Sequence, residues 1–281
     1  FYYGKLLNWE QCINNLQQNS EWMEALTLGL DIYKGKNISL ADIPIFEEER
    51  KVNVGYVLKA LILQYTVNSS GNDFTSSKDL ISKCINICIE FCVTINEVQH
   101  LMHSIKPIFD SRGFEKLFIE KMQPFILADK FKGQNIKSKN VKKIINLYTE
   151  NNKIDILSLI LTQLDISNID NEEIKSLCLE KNLLTPILYI FSNSEDPDYF
   201  LPLQKIYEAF QNAKELKPNE KFEYDNLFEE ETLSQSKEYL GHKLFWYISM
   251  CLKGEKYHSD KKLKDDEHEI ISKKIITWLM T

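Results

Sequence analysis

The chain has 281 residues, and 41 acidic against 34 basic side chains give it a formal net charge of −7. This acidic balance argues against broad binding to nucleic acid or to anionic membranes. The longest apolar runs, near Tyr56–Tyr65 and Leu183–Phe191, are shorter than the ~20 residues that a bilayer-spanning helix needs. With 9 glycines, 7 prolines and 43% hydrophobic residues, long uninterrupted helices and an all-α fold are expected.

The helical pattern is clearest in the stretch Trp22–Gly35. Its apolar side chains recur at the helical period and cover about 220° of the circumference, whereas a helix with one neighbour needs a stripe of only ~100°. The stretch therefore predicts a helix that packs on two sides, with Trp22 buried. Ser20 is the predicted N-cap, and Gly35 the left-handed residue after the C-terminus.

The rest of the first half continues this pattern. A short amphipathic helix is predicted at about Asn8–Gln17, and Ile38–Phe46 is predicted to be a loop. Asn53–Val67, which is apolar nearly all round, is predicted to be a central buried helix. Further predicted helices run from Thr75 or Ser76 to about Thr94, from Asn96 to about Phe109, and over Phe114–Phe131 with an interruption at Pro124.

The segment Gly133–Lys139 predicts a flexible break, and a second series of helices follows it. These helices are expected at Asn140–Thr149, Ile154–Leu164, Asn171–Glu180, Leu183–Phe191, Asp198–Ala213, Glu231–Leu252 and Glu267–Leu279. Roughly a dozen helices with short connections and no convincing strand pairs favour an α-solenoid of helical hairpins. The expected organisation is a first solenoid segment at 1–132, the break at 133–139 and a second segment at 140–281. One continuous array and a compact all-α domain are the alternatives. Because the sequence begins at Phe1, we expect it to be an excerpt of a longer chain.

A metal site is the first chemical candidate. Cys84, Cys88 and Cys92, followed by His100 and His103, are residue types that bind zinc. The three cysteines lie along one apolar helix, however, where buried thiols acting as small hydrophobic groups explain them better. No metal site is therefore predicted, and the six cysteines are expected to be reduced and intracellular.

A second candidate is the DDxxE pattern of Asp265, Asp266 and Glu269. In all-α prenyl-transferring enzymes such carboxylates hold Mg²⁺ on a diphosphate, and the segment Asn193-Ser194-Glu195 resembles a faint second half. Acidic residues at a helix start are also explained by the helix dipole. A Mg²⁺-dependent prenyl-diphosphate enzyme is kept only as a minor alternative. The sequence contains no GxSxG, glycine-rich phosphate loop or HExxH motif, and no catalytic, cofactor-binding or metal-binding residue is predicted.

A basic stretch surrounds the predicted break. It comprises Lys130, Lys132, Lys137, Lys139, Lys142 and Lys143. The stretch could contact acidic lipid headgroups or an acidic partner, but a solvated linker explains it more simply. Since no aromatic ladder accompanies these lysines, single-stranded nucleic acid is not expected to stack there.

Four stretches resemble one family. Asn8–Lys36 resembles the W…I..L...W.eAL.L.L..Y.GK hairpin of the vacuolar protein sorting subunit eight family, a subunit of the CORVET endosomal tether. Asn53–Tyr65 is similar to its next core helix, Lys181–Leu203 to a segment in which an LIY helix runs into DY..PL, and Gly241–Tyr257 to its YKLL.YIS.CL.G..Y helix. The matches follow the family order along nearly the whole chain.

This resemblance implies a clathrin-heavy-chain-like α-solenoid segment of a non-enzymatic scaffold. In the family, such subunits bind other tether subunits and an early-endosomal Rab-family GTPase. They lie peripherally on endosomal membranes in vesicle transport to the vacuole or lysosome. No cofactor, small-molecule substrate or nucleic acid is implied. A subunit of the HOPS tether or of a vesicle coat is the alternative within the same class of solenoids.

Overall fold

A computed structural model describes residues 7–36, 40–69, 78–134, 136–164, 172–193, 198–213, 236–257 and 262–280. The described residues form helices joined by short turns, with isolated β-bridges at Asn8–Ala41 and Glu255–Lys262. The all-α prediction is therefore confirmed. Internal contacts divide the chain into two units, Phe1–Asn135 and Ile136–Thr281. None of the described helices combines the length and hydrophobicity that a bilayer crossing requires.

The first unit begins with two paired helices and continues with longer ones. The helices are α1 (Trp9–Gln18), α2 (Trp22–Tyr33), α3 (Glu47–Ser69), α4 (Lys78–Thr94), α5 (Val98–His100), α6 (Lys106–Ser111) and α7 (Glu115–Leu127). A π-helical turn, Leu101–Ile105, joins α5 to α6. Successive helices pack on one another from α1 to α4, and α7 returns to pack on α4.

Helix α2 packs on both α1 and α3, as its wide apolar face predicted. Leu26 and Ile32 are buried, whereas Trp22 is only half-buried and Met23 is exposed. The prediction of a buried Trp22 is therefore wrong. Trp22 is the first residue of the helix, where fewer neighbouring side chains surround it than in the middle of α2.

The two ends of α2 differ in how well they were predicted. Gly35 has a φ of 74° and follows the helix in the left-handed conformation, as expected. Ser20 is not the N-cap, because it adopts a φ of 63° and Glu21 occupies the cap position. A single left-handed residue is what allows the chain to reverse tightly between α1 and α2.

Helix α3 is longer than expected and is not buried all round. It begins at Glu47, so the charged residues before Asn53 belong to the helix. One side holds the fully buried Leu58 and Ile62. Thr66 on the same side lies with its Oγ1 3.2 Å from the Sγ of Cys88 on α4. The opposite side is exposed, so the prediction of a central buried helix is wrong for half of its circumference.

Two prolines affect the later part of the first unit differently. The π-helical turn ends two residues before Pro107, which cannot donate a backbone hydrogen bond to the preceding turn. The helix predicted to begin at Asn96 begins at Val98 instead, and Asn96 adopts a φ of 57° in the turn before it. Pro124 lies inside α7, which continues to Leu127, so the predicted interruption is wrong. Pro124 offers no N–H to the carbonyl oxygen of Glu120. Both residues are exposed, so water can bond to that oxygen instead.

The second unit is a series of helices of similar length. The helices are α8 (Ser138–Glu150), α9 (Ile154–Gln163), α10 (Glu172–Glu180), α11 (Leu184–Asn193), α12 (Phe200–Asn212), α13 (Lys237–Leu252) and α14 (Asp265–Leu279). Neighbours in this order pack pairwise from α10 to α14, and α11 also packs on α9. The predicted start at Glu231 lies outside the described residues; the described helix begins after the cap Ser236, whose hydroxyl accepts from the Tyr239 amide at 3.2 Å.

Buried hydrogen bonds fix the position of α13. The hydroxyl of Tyr247 donates to the carbonyl oxygen of Tyr199 at 3.1 Å. The hydroxyl of Tyr199 donates in turn to the carbonyl oxygen of Ser192 at 3.0 Å. Since a buried phenol without a partner would be costly, these bonds hold α11, the start of α12 and α13 in one arrangement.

Candidate interaction surfaces

One side of α3 carries apolar side chains that are exposed. Val52, Tyr56 and Val67 are exposed by 71%, 76% and 50%. Ala60 is exposed and Leu63 partly so. At 100° per residue these five side chains, which we call the α3 stripe, fall within an arc of about 80°. The stripe lies nearly opposite the buried side of the helix. The sequence analysis included all of these residues except Val52 in a helix that is apolar nearly all round, and did not identify them as a second, separate face.

The start of α3 adds aromatic and acidic groups to the same region. Ile45 and Phe46, directly before the helix, are 88% and 74% exposed. Glu47, Glu48 and Glu49 form its first turn and are all exposed. Glu47 is paired with Lys51 at 2.6 Å. A surface hollow of about 550 Å³ is lined by Phe46, Glu47, Glu48 and Lys51.

The second unit exposes aromatic rings on α13. Tyr239, Phe245 and Trp246, which we call the α13 aromatic patch, are exposed by 42%, 75% and 48%. The ring of Trp246 stands edge-on to Tyr257, with 5.3 Å between centroids. Tyrosine, tryptophan and phenylalanine are enriched in protein interfaces, so this patch is suited to contact with another protein.

The cysteine candidates lie in the core of the first unit. Cys84, Cys88 and Cys92 are 2%, 0% and 0% exposed. A hydrogen bond with Cys84, together with burial, raises the pKa of Cys88 well above its usual value. Burial raises the pKa of Cys92 to about 12. Zinc binds the thiolate, so these environments oppose ligation by Cys88 and Cys92.

The two histidines are directed elsewhere. The Nε2 of His100 lies 3.1 Å from the carbonyl oxygen of Lys59 on α3. The Nδ1 of His103 lies 2.9 Å from the carbonyl oxygen of Gln99. In the part of the chain that the structure describes, no group of three or more Cys, His, Asp or Glu side chains is placed to hold a metal ion.

The DDxxE residues lie at the start of α14. Asp265 and Asp266 are exposed, and Glu269 pairs with Lys273 at 2.5 Å. In the faint second half, Ser194 and Glu195 lie outside the described residues. The Nδ2 of Asn193 donates to the carbonyl oxygens of Tyr189 at 3.0 Å and Tyr257 at 2.8 Å. Asn193 thereby ties α11 to the segment after α13.

The basic stretch consists mainly of exposed side chains. Lys130, Lys132, Lys137 and Lys139 are exposed, and Lys142 forms an ion pair with Glu173 on α10. Lys130 and Lys132 belong to the first unit, and the others to the second. No aromatic side chain among the described residues between Lys137 and Lys143 offers a stacking surface for a base.

One buried and one half-buried lysine were not identified from the sequence. Lys106 is only 2% exposed, and its Nζ contacts Asp110 at 2.6 Å and Glu115 at 3.3 Å. The Nζ of Lys243 on α13 donates to the hydroxyl of Thr185 on α11 at 2.5 Å. The i,i+4 spacing of Lys106 and Asp110 is visible in the sequence, but their burial depends on helices that come together only in the fold.

Each unit is thus built from packed helices, which defines the class as an all-α protein of solenoid-like, helical-repeat type. The family model of the Vps8 central TPR matches residues 117–281. Because this match covers more than half of the sequence, the chain belongs to that family.

Curated relatives agree with this assignment. The chain is 20% identical over 262 residues to a protein named vacuolar protein sorting-associated protein 8 homolog from Homo sapiens, covering 91% of this chain and 17% of the human protein. The Mus musculus protein of the same name matches to the same extent. This chain therefore spans about a sixth of the length of these relatives. No solved structure matches it significantly.

Proposed function

We propose that this chain is a scaffold segment of an endosomal membrane-tethering subunit in vesicle-mediated transport to the vacuole or lysosome. The match of residues 117–281 to the Vps8 central TPR family carries this proposal. The relatives are named for vacuolar protein sorting. The stacked helices fit the role, since helical-repeat proteins present extended surfaces to partners without an active-site pocket.

In this proposal the segment acts without catalysis, as a clathrin-like solenoid within a CORVET subunit. Its partners are other tether subunits, and the full-length protein also binds an early-endosomal Rab-family GTPase. The full-length protein lies peripherally on endosomal membranes. The α13 aromatic patch supports a contact with a neighbouring subunit, because Phe245 and Trp246 offer the ring surface on which interface energy concentrates.

The experiment is co-purification of tether subunits with the full-length protein in cells that lack the endogenous copy. Phe245→Asp combined with Trp246→Ala is expected to reduce recovery of at least one subunit. The matched control is Lys253→Ala, an exposed position on the C-cap of the same helix, beyond the aromatic patch.

Equal protein amounts and endosomal staining of the wild type are the reference for both variants. If the wild-type protein recovers no tether subunit and shows no endosomal staining, the proposed function is wrong. If the wild type recovers the complex and the double variant does so equally, the α13 aromatic patch is not the contact.

A further inference from the structure

We infer that the α3 stripe and the acidic start of α3 bind an amphipathic helix of a protein partner, whose C-terminal turn carries lysine or arginine. This inference rests on the proposed scaffold function in that it names the chemistry of one partner. It is carried by the exposed side chains Val52, Tyr56 and Ala60 together with Glu48 and Glu49.

The shape of the surface selects a helical partner. From Val52 to Val67 the α3 stripe runs for about 22 Å, at 1.5 Å of rise per residue. The backbone groups of α3 are bonded within the helix, so a partner strand would find no edge to extend. A helix can instead pack its own apolar ridge along the stripe.

The charges at the start of α3 indicate which end of the partner helix carries the positive side chains. In the described part of the chain, neither Glu48 nor Glu49 forms an ion pair, whereas Glu47 is paired with Lys51. At 100° per residue, Glu49 falls within the arc of the α3 stripe and Glu48 about 40° from its edge. A cationic side chain in the last turn of a helix packed on the stripe would therefore meet these two carboxylates. Lysine or arginine is favoured in the last turn of a helix by the helix dipole. The partner helix therefore runs antiparallel to α3.

A second copy of this chain fits less well. Parallel pairing of two α3 helices would place Glu47–Glu49 of one copy against the same residues of the other. Antiparallel pairing would place them beside Asn68 and Ser69, which carry no charge. Arg50 and Lys51, which follow these glutamates, are already engaged within the chain by the carbonyl oxygen of Ile45 and by Glu47. A different protein is therefore the better occupant.

A lipid surface fits less well for a related reason. Anionic headgroups attract lysine and arginine and repel carboxylates. The most exposed apolar residues of this region, Ile45 and Phe46, directly precede three glutamates. The acidic start of α3 would therefore oppose insertion into an anionic membrane.

The test uses three synthetic helical peptides, stapled because short isolated helices are marginally stable in water. The basic-end peptide has a leucine face of four turns and three lysines in its last turn. The acidic-end peptide has three glutamates at those positions. The shuffled peptide has the basic-end composition without a continuous leucine face. Binding to the whole chain is measured by fluorescence anisotropy at low ionic strength.

The wild-type chain is expected to bind the basic-end peptide about tenfold more tightly than either other peptide, a ratio typical of losing one interface anchor. Tyr56→Asp should weaken this binding about tenfold. The matched control Asn68→Asp adds the same charge to an exposed position on α3 outside the stripe and should leave it unchanged. Glu48→Lys combined with Glu49→Lys should transfer the preference to the acidic-end peptide.

Circular dichroism of each variant checks that the chain is folded, which is expected because Tyr56 is 76% exposed. Equal binding of the basic-end and acidic-end peptides would overturn the inference. So would a dimer of the wild type that Tyr56→Asp converts to a monomer, or binding to phosphatidylserine vesicles that Tyr56→Asp abolishes. Because the peptides contain no tether subunit, these outcomes are independent of the co-purification experiment.

Discussion

The ammonium nitrogen of Lys106 lies 2.6 Å from a carboxylate oxygen of Asp110, at a position where the lysine side chain is only 2% exposed. Glu115, which opens α7, approaches the same nitrogen to 3.3 Å. The pair therefore connects α6, immediately after the π-helical turn, to the start of the next helix. A charge buried in this way is stabilised by its partners and would be costly without them.

Lys106→Met keeps most of the length of the side chain and removes its charge. Since hydrogen bonds to charged groups contribute about 1.5–3 kcal/mol, and both carboxylates remain partly exposed, we expect the free energy of unfolding to fall by about 1–3 kcal/mol. Urea denaturation measures this change. Lys130→Met, at an exposed position in the same unit, should change it by less than about 0.5 kcal/mol. Equal effects of the two substitutions would show that the buried pair contributes nothing.

Lys243 should make stability depend on pH. Burial lowers its pKa to about 8, opposed in part by Asp155, whereas an unfolded lysine titrates near 10.4. Between these values the unfolded state binds more protons, so the contribution of Lys243 to the free energy of unfolding rises with pH. The charged ammonium of Lys243 lowers the free energy of unfolding by its full amount below pH 8. This destabilisation disappears as the pH rises towards 10.4.

Lys243→Met removes this dependence. Relative to the wild type, we expect the stability of the variant to decline by roughly 1–3 kcal/mol between pH 7.5 and pH 10. Chemical denaturation at a series of pH values measures the difference, in which the buried thiols and phenols common to both proteins cancel. Lys253→Met, at an exposed position on the C-cap of the same helix, should give a flat difference. A flat difference for Lys243→Met as well would contradict the prediction.

Truncating Leu26 to alanine should cost more stability than truncating the larger Trp22. Truncating a buried tryptophan costs about 3–5 kcal/mol, but Trp22 is half-buried, so we expect Trp22→Ala to cost about 1–2.5 kcal/mol. Leu26 is 2% exposed, and Leu26→Ala should cost about 2–5 kcal/mol. Thermal melting of the two variants compares them. A larger loss for Trp22→Ala would mean that the tryptophan is covered more completely than the structure shows.

Substituting two glycines with positive φ by alanine distinguishes the cost of backbone strain from the cost of a steric clash. Gly113 has a φ of 81° with nothing near the position of an added Cβ, whereas Gly35 has a φ of 74° with the Arg50 guanidinium 2.8 Å from that position. Gly113→Ala should cost about 1 kcal/mol from the backbone alone. Gly35→Ala should cost at least as much, because Arg50 must also move. Urea denaturation of both variants measures the free energy of unfolding. A larger loss for Gly113→Ala than for Gly35→Ala would contradict this prediction.

Much of the fold could be predicted because helical periodicity is a local signal. The spacing of Leu26 and Leu30 predicts α2, and its two-sided packing follows from Leu28 and Ile32, which widen the apolar face. The positions of turns were less predictable, since a serine such as Ser20 serves equally well as a cap or as a left-handed turn residue. The continuation of α7 through Pro124 depends on the exposure of that side of the helix to water, which the sequence does not mark.

The candidate surface could be predicted only in part. The apolar character of Val52 and Tyr56 is plain in the sequence, but which side of α3 is covered depends on α2 and α4. The same holds for Lys106, whose partners can be found by their spacing but whose burial cannot. The covered side of α3 and the burial of Lys106 both depend on long-range packing, which local sequence patterns do not reveal.

The two apolar sides of α3 also bear on how the first unit folds. A collapsing chain could dock this helix by either side, and the wrong docking would bury Val52 and Tyr56 while leaving Leu58 and Ile62 in water. Lys59 distinguishes the two arrangements, because its ammonium reaches Glu97 at 2.8 Å only when α3 faces its native neighbours. A non-native orientation of α3 is therefore the kinetic trap expected of this unit, and it should appear as a slow refolding phase that Tyr56→Asp removes.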